Sequence, residues 1–430
     1  MRRMVLFVAV AALVVSAVTG GLSTFLASGS VQSPWVIEDL GSVAGKKGGA
    51  RDINERGQIV GWVDSGARGD GAECLQVVLW EEGTMREVGQ RDCSSELEAD
   101  VVAMDLFVAI NERGQIVGSS EDESGEPISH AFLWQNGETT DLGSLGGKDS
   151  VAAAINDGGQ IVGTSATRAR DELGGWIFHG FVWQNGTMTD LGTLGGPGSA
   201  AYAINDRGQV AGVSHTEARE DHAFLWQDRK MRDLGTLRRH YLFGGQHVSV
   251  TGINEQGEVA GSSRSGTGGI HAVVWQQGKM IDLGTLGGRN SFATAVNARG
   301  QVVGDSSTGT GRTGADVGHA FVWENGSMTD LGALGFGTDI LGQVVGVGDN
   351  LQATRASAIN ERGDVVGWST TRTGKTHAFV WQNGRMIDLG TLKGDGESGA
   401  VALNEHGQIV GWSRAESGEP HPVLWTLRSG

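Results

Sequence analysis

Seven histidines recur at one register of the sequence, each four residues before a tryptophan. Histidine is the commonest metal ligand in proteins, so a metal site is the first chemistry to consider. Equivalent positions on successive repeats lie too far apart to share a zinc ion, whose bonds to histidine nitrogen are about 2 Å long. We therefore expect no metal site, and a structural role in which each histidine bonds neighbouring backbone within its own repeat. These residues are His130, His179, His222, His271, His319, His377 and His421.

Three tryptophans directly follow a glycine in a second recurring block: Trp62, Trp368 and Trp412. They belong to the first, seventh and eighth repeats, which are neighbours only if the repeats close into a ring. One hypothesis is that their indole faces stack on sugar rings or aromatic ligands. The alternative is that they fill a wider part of the packing between strands. Five other repeats place Ser119, Thr164, Val213, Ser262 and Asp305 at this register.

Two long connections between repeats carry further aromatic residues, Trp176 with Phe178 and Tyr241 with Phe243. Trp176 and Tyr241 are candidate ligand contacts at a pocket mouth, and packing of each loop on itself is the alternative. We find no nucleophile elbow, zinc motif or phosphate loop, so no catalytic residue is assigned.

The chain has only two cysteines, Cys74 and Cys93. Both lie in the first repeat region. In an exported protein they are expected to form a disulfide that ties two irregular loops together.

These candidate residues are positioned by a repeat of three ordered motifs: Asp-Leu-Gly, Ile-Asn-x-x-Gly-Gln-x-x-Gly and His-Ala-Phe-x-Trp. In the second motif, the asparagine and the glycine three residues later indicate a type I turn between two strands. The Asn-Gly pair that follows the tryptophan in several repeats predicts a second hairpin. The eight structural asparagines are Asn54, Asn111, Asn156, Asn205, Asn254, Asn297, Asn360 and Asn404.

Two hairpins per repeat give four strands, which is what one blade of a β-propeller requires. The sequence therefore predicts an all-β propeller of about eight blades over residues 31–430. A second Gly-Gln-Val-Val-Gly block at 342–346 leaves seven or nine blades as alternatives. The first strand-like segment after the N-terminus and the last one at the C-terminus are complementary halves of one hairpin, so their pairing would close the ring. The turns after each asparagine and after each tryptophan are short and lie on one face of the propeller. All length variation falls in the remaining connections, which share the opposite face. Loops of unequal length on one face are where repeat proteins usually bind their ligands.

The segments HAFLWQNG, TMTDLGTLGG and AINDRGQVAG resemble the HAF repeat family of bacterial proteins, over nearly all of residues 35–427. The resemblance implies an extracellular or cell-surface setting and a propeller-like fold. It implies no established activity. The chain departs from the pattern at Gln76, which replaces the first histidine, and at Glu87-Val88-Gly89, which replaces Asp-Leu-Gly.

The N-terminus and the charge balance indicate where the protein acts. Arg2 and Arg3 precede the apolar run Val5 to Val15, as in a secretory signal, so residues 1–30 are expected to be a signal peptide, with an uncleaved membrane anchor as the alternative. The net charge of −17 disfavours nucleic acid as a partner. We expect no cofactor, with calcium as a weaker alternative, and a monomer.

The function that these observations favour is an exported module that binds a glycan or an extracellular protein through the face with variable loops. A polysaccharide hydrolase or lyase on the same scaffold is one alternative. A structural surface or matrix protein is the other.

Overall fold

The computed structural model describes residues 34–42, 46–67, 73–92, 108–121, 129–237, 248–309, 317–334, 353–394 and 396–428. The chain divides into Met1–Ser33 and Pro34–Gly430, and every described residue belongs to the second unit. The expected export segment and the block at 342–346 lie outside the described residues.

The described residues form thirty-two β-strands and no helix, arranged as eight four-stranded antiparallel sheets. Blade 1 contains β2 (Gly48–Ile53), β3 (Ile59–Ala67), β4 (Glu73–Glu81) and β5 (Thr84–Asp92). Blade 2 contains β6 (Ala109–Ile110), β7 (Ile116–Glu121), β8 (Ser129–Gln135) and β9 (Glu138–Asp141). Blade 3 contains β10 (Gly146–Ile155), β11 (Ile161–Arg170), β12 (Trp176–Gln184) and β13 (Thr187–Asp190). Blade 4 contains β14 (Gly195–Ile204), β15 (Val210–Thr216), β16 (Asp221–Gln227) and β17 (Lys230–Gly235).

The second half of the ring repeats this order. Blade 5 contains β18 (Val248–Ile253), β19 (Val259–Arg264), β20 (Ile270–Gln276) and β21 (Lys279–Asp282). Blade 6 contains β22 (Ser291–Val296), β23 (Val302–Ser307), β24 (Gly318–Glu324) and β25 (Ser327–Asp330). Blade 7 contains β26 (Thr354–Ile359), β27 (Val365–Thr370), β28 (Thr376–Gln382) and β29 (Arg385–Gly390). Blade 8 contains β30 (Ser398–Leu403), β31 (Ile409–Arg414), β32 (Pro420–Leu427) and, from the other end of the chain, β1 (Trp35–Asp39).

The sheets close into an eight-bladed β-propeller. β1 pairs antiparallel with β32, with Trp35 opposite Leu427 and Asp39 opposite Val423, so the two ends of the chain complete one blade. The first strand of every blade packs against the first strand of the next blade around the whole ring, which makes these strands innermost. The predicted propeller, its eight blades and its closure by the terminal strands are therefore confirmed.

The hydrophobic core lies between the blades. Ala131 of blade 2 belongs to the same buried cluster as Ile161 and Phe181 of blade 3, so a small side chain on one sheet faces a large one on the next. Blades 5 and 6 repeat the arrangement with Ala272 and Phe321. Such interdigitation gives close packing between sheets that are related by the repeat.

Each recurring asparagine opens the predicted turn between the first and second strands of its blade. In blade 4 the N–H of Gly208 donates to the carbonyl oxygen of Asn205 at 3.0 Å. Gly208 has a φ of 72°, a conformation that glycine adopts without steric cost. The Asn205 side chain also accepts a hydrogen bond from the N–H of Gln209 at 3.0 Å, as the turn prediction requires.

The asparagine side chains also link neighbouring blades, which the sequence analysis did not predict. The Nδ2 atom of Asn205 donates to the carbonyl oxygen of Asn254 in blade 5 at 2.9 Å. The same bond recurs at every blade boundary, at 2.9 to 3.5 Å, and Asn404 returns it to Asn54. These eight bonds form a closed circle around the inner edge of the ring.

The two faces of the propeller differ in construction. The turn face carries the eight asparagine turns and the short turns between the third and fourth strands. The loop face carries the connections between the second and third strands and those between blades, as the parity of the turns predicts. Part of the variable length is strand, because β11 extends to Arg170 and β12 begins at Trp176.

Candidate functional site

The loop-face end of the inner strands is where the blades differ most in side chain. Each mouth pair, as we call it, consists of a residue near the loop-face end of the first strand and its cross-strand partner on the second strand. Side chains of such partners lie on one face of the sheet, close enough to interact. The mouth pairs of blade 1 and of blades 3 to 8 are Gly49–Trp62, Val151–Thr164, Ala200–Val213, Ser249–Ser262, Phe292–Asp305, Arg355–Trp368 and Gly399–Trp412.

The three tryptophans hypothesised to bind a ligand all belong to mouth pairs of consecutive blades, because the ring is closed. Trp62 exposes only 5% of its surface, and its indole Nε1 lies 3.2 Å from the position that a Cβ on Gly49 would take. Trp412 covers Gly399 in the same way, at 2.8 Å. An aromatic side chain over a strand glycine is a packing arrangement that compensates for the missing side chain. Trp62 therefore has little surface left for a ligand.

Trp368 differs from the other two because its cross-strand partner is Arg355 and not a glycine. It is partly buried, and Arg355 is exposed. The mouth thus presents an indole beside a guanidinium group in blade 7.

Arg355 also reaches back to the preceding blade. Its Nε lies 3.3 Å from Oδ1 of Asp305 in blade 6, with side-chain exposures of 45% and 24%. Burial raises the pKa of the Asp305 carboxyl, and the charge of Arg355 offsets part of that rise. Blades 6 and 7 therefore bring a carboxyl group, a guanidinium group and an indole together. Sequence analysis noted Asp305 only as a replacement for tryptophan and missed Arg355, whose proximity depends on the contact between blades.

The candidate aromatic residue Trp176 lies beside the turn at the tip of the β11–β12 hairpin in blade 3, opposite Arg170. The guanidinium carbon of Arg170 lies 3.2 Å from the centroid of the Trp176 ring, so one indole face is covered within the hairpin. The turn at its tip is closed by a hydrogen bond from the N–H of Gly174 to the carbonyl oxygen of Asp171, and leaves Leu173 96% exposed. Tyr241, the other candidate, lies outside the described residues.

The seven recurring histidines each contact an aspartate of the Asp-Leu-Gly motif. Nδ1 lies 2.8 to 2.9 Å from the carboxylate in every case, and His421 pairs with Asp39 from the other end of the chain. The sequence predicted that each histidine would bond backbone within its own repeat, but its main partner is this carboxylate. His179 does bond the backbone of Pro197, but that residue belongs to the next blade. The other pairs are His130–Asp141, His179–Asp190, His222–Asp233, His271–Asp282, His319–Asp330 and His377–Asp388.

Blade 1 lacks both members of this pair, so its two departures from the repeat occur together. Gln76 stands in place of the histidine, and its Nε2 donates to the carbonyl oxygens of Val88 at 2.7 Å and Val77 at 3.0 Å. The amide is satisfied by backbone, so no carboxylate is needed at the position of the aspartate.

The histidine–aspartate pairs predict that the protein is less stable in alkali. The hydrogen bond that His179 donates to the Asp190 carboxylate raises the pKa of His179 above 6.5, and the bond from His377 to Asp388 does the same for His377. A raised histidine pKa contributes stability that is complete below about pH 6.5 and lost as the pH rises through the folded-state pKa. We expect the Tm to fall between pH 6 and pH 9, and to fall less in a His179→Gln/His377→Gln variant, measured by thermal unfolding. Glutamine is the side chain that blade 1 uses at this register, and an unchanged fall in the variant would contradict the assignment.

Asp52 is an acidic side chain on the first strand of blade 1, where most other blades carry alanine. Its carboxylate accepts hydrogen bonds from the N–H groups of Ile53 at 2.9 Å and of Ile110 in blade 2 at 3.1 Å. Burial nevertheless raises the pKa of Asp52 to about 6. Burial therefore destabilises the ionised carboxylate in the folded protein. As the pH rises from about 4 to about 6, the folded protein loses the stability that it has while Asp52 is protonated.

Replacing Asp52 by alanine tests this effect. We expect the difference in free energy of unfolding between pH 4.5 and pH 8 to shrink by about 1–3 kcal/mol in Asp52→Ala, because one raised carboxyl pKa no longer contributes. Denaturant titrations at both pH values measure it, with Ala154→Gly at the equivalent position of blade 3 as the control. If Asp52→Ala keeps the full difference, another group causes it.

Cys74 lies in β4, is 4% exposed and is disulfide-bonded. The chain has only one other cysteine, so the partner is Cys93, which lies outside the described residues. The bond would join the third strand of blade 1 to the segment that follows its fourth strand.

Among the described residues, no group of three or more histidine, cysteine, aspartate or glutamate side chains is placed to hold a metal ion. None of the described residues forms a helix with the length and apolar character needed to cross a membrane.

No family model matches the chain, and no curated protein matches it in sequence. Among solved structures, it is similar to the β-propeller domain of the Trilobed protease from Pyrococcus furiosus, with 10% identity over 80% of this chain and 98% of that chain and a TM-score of 0.48. It is also similar to a puromycin-hydrolyzing peptidase of Mycobacterium tuberculosis, with 13% identity, a TM-score of 0.47 and coverage of 85% of this chain and 58% of that one. The Aleuria aurantia lectin matches with 10% identity over 81% of this chain and 95% of that chain, at a TM-score of 0.33. At these identities the likeness concerns the fold alone.

Proposed function

We propose that the protein is an exported, HAF-type propeller that binds a ligand, a glycan or an extracellular protein, at the loop-face mouth of its central channel. The observation that carries this proposal is the asymmetry of the mouth pairs. Blades 6, 7 and 8 place Asp305, Arg355, Trp368 and Trp412 at one level, whereas blades 3 to 5 carry only small or aliphatic side chains there.

The turn face is a poor candidate for specific binding because its polar groups are used within the ring. Each asparagine Nδ2 bonds the next blade, and the N–H that follows it usually bonds a carboxylate of that blade, as Glu112 does with Asp157 at 2.8 Å. A surface with its hydrogen-bonding groups already paired and its turns nearly identical offers little basis for recognition.

The loop face has the opposite character. Its connections differ in length, and its mouth combines a charged pair with partly buried aromatic surface. Binding sites commonly join apolar and aromatic surface to a few well-placed polar groups, and loops on a rigid scaffold commonly carry them.

The enzyme alternative has less support. Glycoside hydrolysis generally uses two carboxyl groups on either side of one bond, less than about 10 Å apart. Among the described residues, the carboxyl groups with raised pKa values are Asp52 and Asp305, which belong to blades 1 and 6 and are not on neighbouring blades. A purely structural role also has less support, because it does not account for the charged and aromatic side chains at the mouth.

Binding of the full-length protein to a broad glycan array and to a panel of extracellular proteins tests the proposal. The assay is run with calcium and with chelator, and the glycans are checked for cleavage. Retention without turnover is the expected result. Turnover would favour the hydrolase or lyase, and no retention on either panel would favour the structural role.

A further inference from the structure

We propose that the boundary between blades 6 and 7 is a subsite for one neutral sugar residue of a glycan. Asp305 and Arg355 bind its hydroxyl groups, and Trp368 packs against its ring. This inference rests on the proposed ligand-binding function and names the ligand class that the site selects.

The charged pair has hydrogen-bonding capacity left for a ligand. The separation of 3.3 Å between Arg355 Nε and Asp305 Oδ1 exceeds the 2.7–2.9 Å that is typical of a strong charge-assisted hydrogen bond. A guanidinium group has five N–H donors and a carboxylate has two acceptor oxygens. Sugar hydroxyls both donate and accept, so a donor and an acceptor side by side suit neighbouring hydroxyls of one ring.

The net charge of the site favours a neutral ligand. Asp305 and Arg355 together contribute no net charge, and the whole chain carries −17. A phosphate, sulfate or carboxylate group at Arg355 would be repelled by the neighbouring Asp305 carboxylate and by the acidic protein as a whole. An uncharged hexose meets neither cost.

Trp368 supplies the apolar surface that such a ligand needs. It is the cross-strand partner of Arg355, so its indole lies on the same face of blade 7 as the guanidinium group. It stays partly exposed, whereas Trp62 is buried over a glycine. The C–H groups of a sugar ring pack well against an indole, which combines large contact area with little conformational entropy to lose.

Blade 5 provides substitutions that the fold already accepts at these registers. Its mouth pair is Ser249–Ser262, and Ser262 Oγ accepts a hydrogen bond from the N–H of Ala293 in the next blade. The test variants are therefore Asp305→Ser, Arg355→Ser and Trp368→Ser, with Trp368→Phe as a variant that keeps an aromatic ring. Thr164→Ser in blade 3, at the same register on another part of the ring, is the matched control.

The full-length protein and each variant are titrated with neutral oligosaccharides of hexoses and with sialylated and sulfated forms of the same backbones. Thermal unfolding confirms that each variant is folded. We expect the neutral forms to bind more tightly than the acidic forms. We also expect Asp305→Ser, Arg355→Ser and Trp368→Ser to weaken binding by about tenfold or more, Trp368→Phe to weaken it less, and Thr164→Ser to leave it unchanged.

The other outcomes separate this subsite from the proposed function. Glycan binding that survives all three serine variants would overturn the subsite and leave the binding function standing. Tighter binding of the acidic forms would overturn the neutral class. Binding to an extracellular protein with no glycan bound would overturn the sugar assignment alone, and the absence of any ligand would overturn both proposals.

Discussion

Asn205→Ala is expected to lower the free energy of unfolding by about 2–4 kcal/mol, because it leaves buried polar groups without partners. The side chain donates to Gln209 Oε1 at 2.7 Å and to the carbonyl oxygen of Asn254 at 2.9 Å, and it accepts from the N–H of Gln209. Asn205 is 4% exposed, so water does not readily replace these bonds. Denaturant unfolding measures the loss.

Asn360→Ala is the comparison variant for the bond between blades, and its side chain also bonds Asp364 Oδ2 and the N–H of Arg362 within its turn. Asn360 accepts the same bond within its turn, from the N–H of Asp364 at 2.9 Å, but its Nδ2 lies 3.5 Å from the carbonyl oxygen of Asn404. We expect it to cost about 1 kcal/mol less than Asn205→Ala, which is the size of one hydrogen bond. Equal losses of unfolding free energy in the two variants would mean that the asparagines stabilise their own turns and that the hydrogen bonds between blades contribute nothing.

Trp35→Ala is expected to cost about 3–5 kcal/mol, the range for truncating a large buried side chain. Trp35 is 5% exposed in β1 and belongs to the same cluster as Val423 and Trp425 of β32. The tryptophan thus anchors the strand that closes the ring. Weakening this strand also leaves the edge of β32 unpaired, and an unpaired edge is a site for association with other chains. Denaturant unfolding and the oligomeric state by size-exclusion chromatography are the measurements.

Val36→Ala controls for a change anywhere in the closing strand. Val36 pairs with Thr426 in the same ladder but is 39% exposed, so we expect a loss below about 1 kcal/mol and no association. If Trp35→Ala were as mild as Val36→Ala, closure would depend on the backbone ladder and the remaining contacts of blade 8.

The histidine–aspartate pairs could have been predicted from the sequence in part. The spacing of eleven residues from His130 to Asp141 recurs in five other repeats and could have suggested a contact. The joint departure of Gln76 and Glu87 in blade 1 is the second signal. Neither shows that the contact is a hydrogen bond to a carboxylate, because that depends on how the third and fourth strands register.

The sequence by itself determined the strands, the turns, a count of about eight blades and the closing pair of terminal strands, and the structure fixed the count at eight. These features are local or repeated: a turn needs only its own asparagine and glycine, and eight copies of one unit reveal its length. Only the tertiary structure decided what happens between blades. The circle of asparagine bonds, the burial of Trp62 over Gly49 and the meeting of Asp305 with Arg355 join residues whose separation is set by ring closure and by the packing of one sheet on the next. No local pattern encodes these distances, because the partners lie on different repeats and come together only when the whole ring has formed.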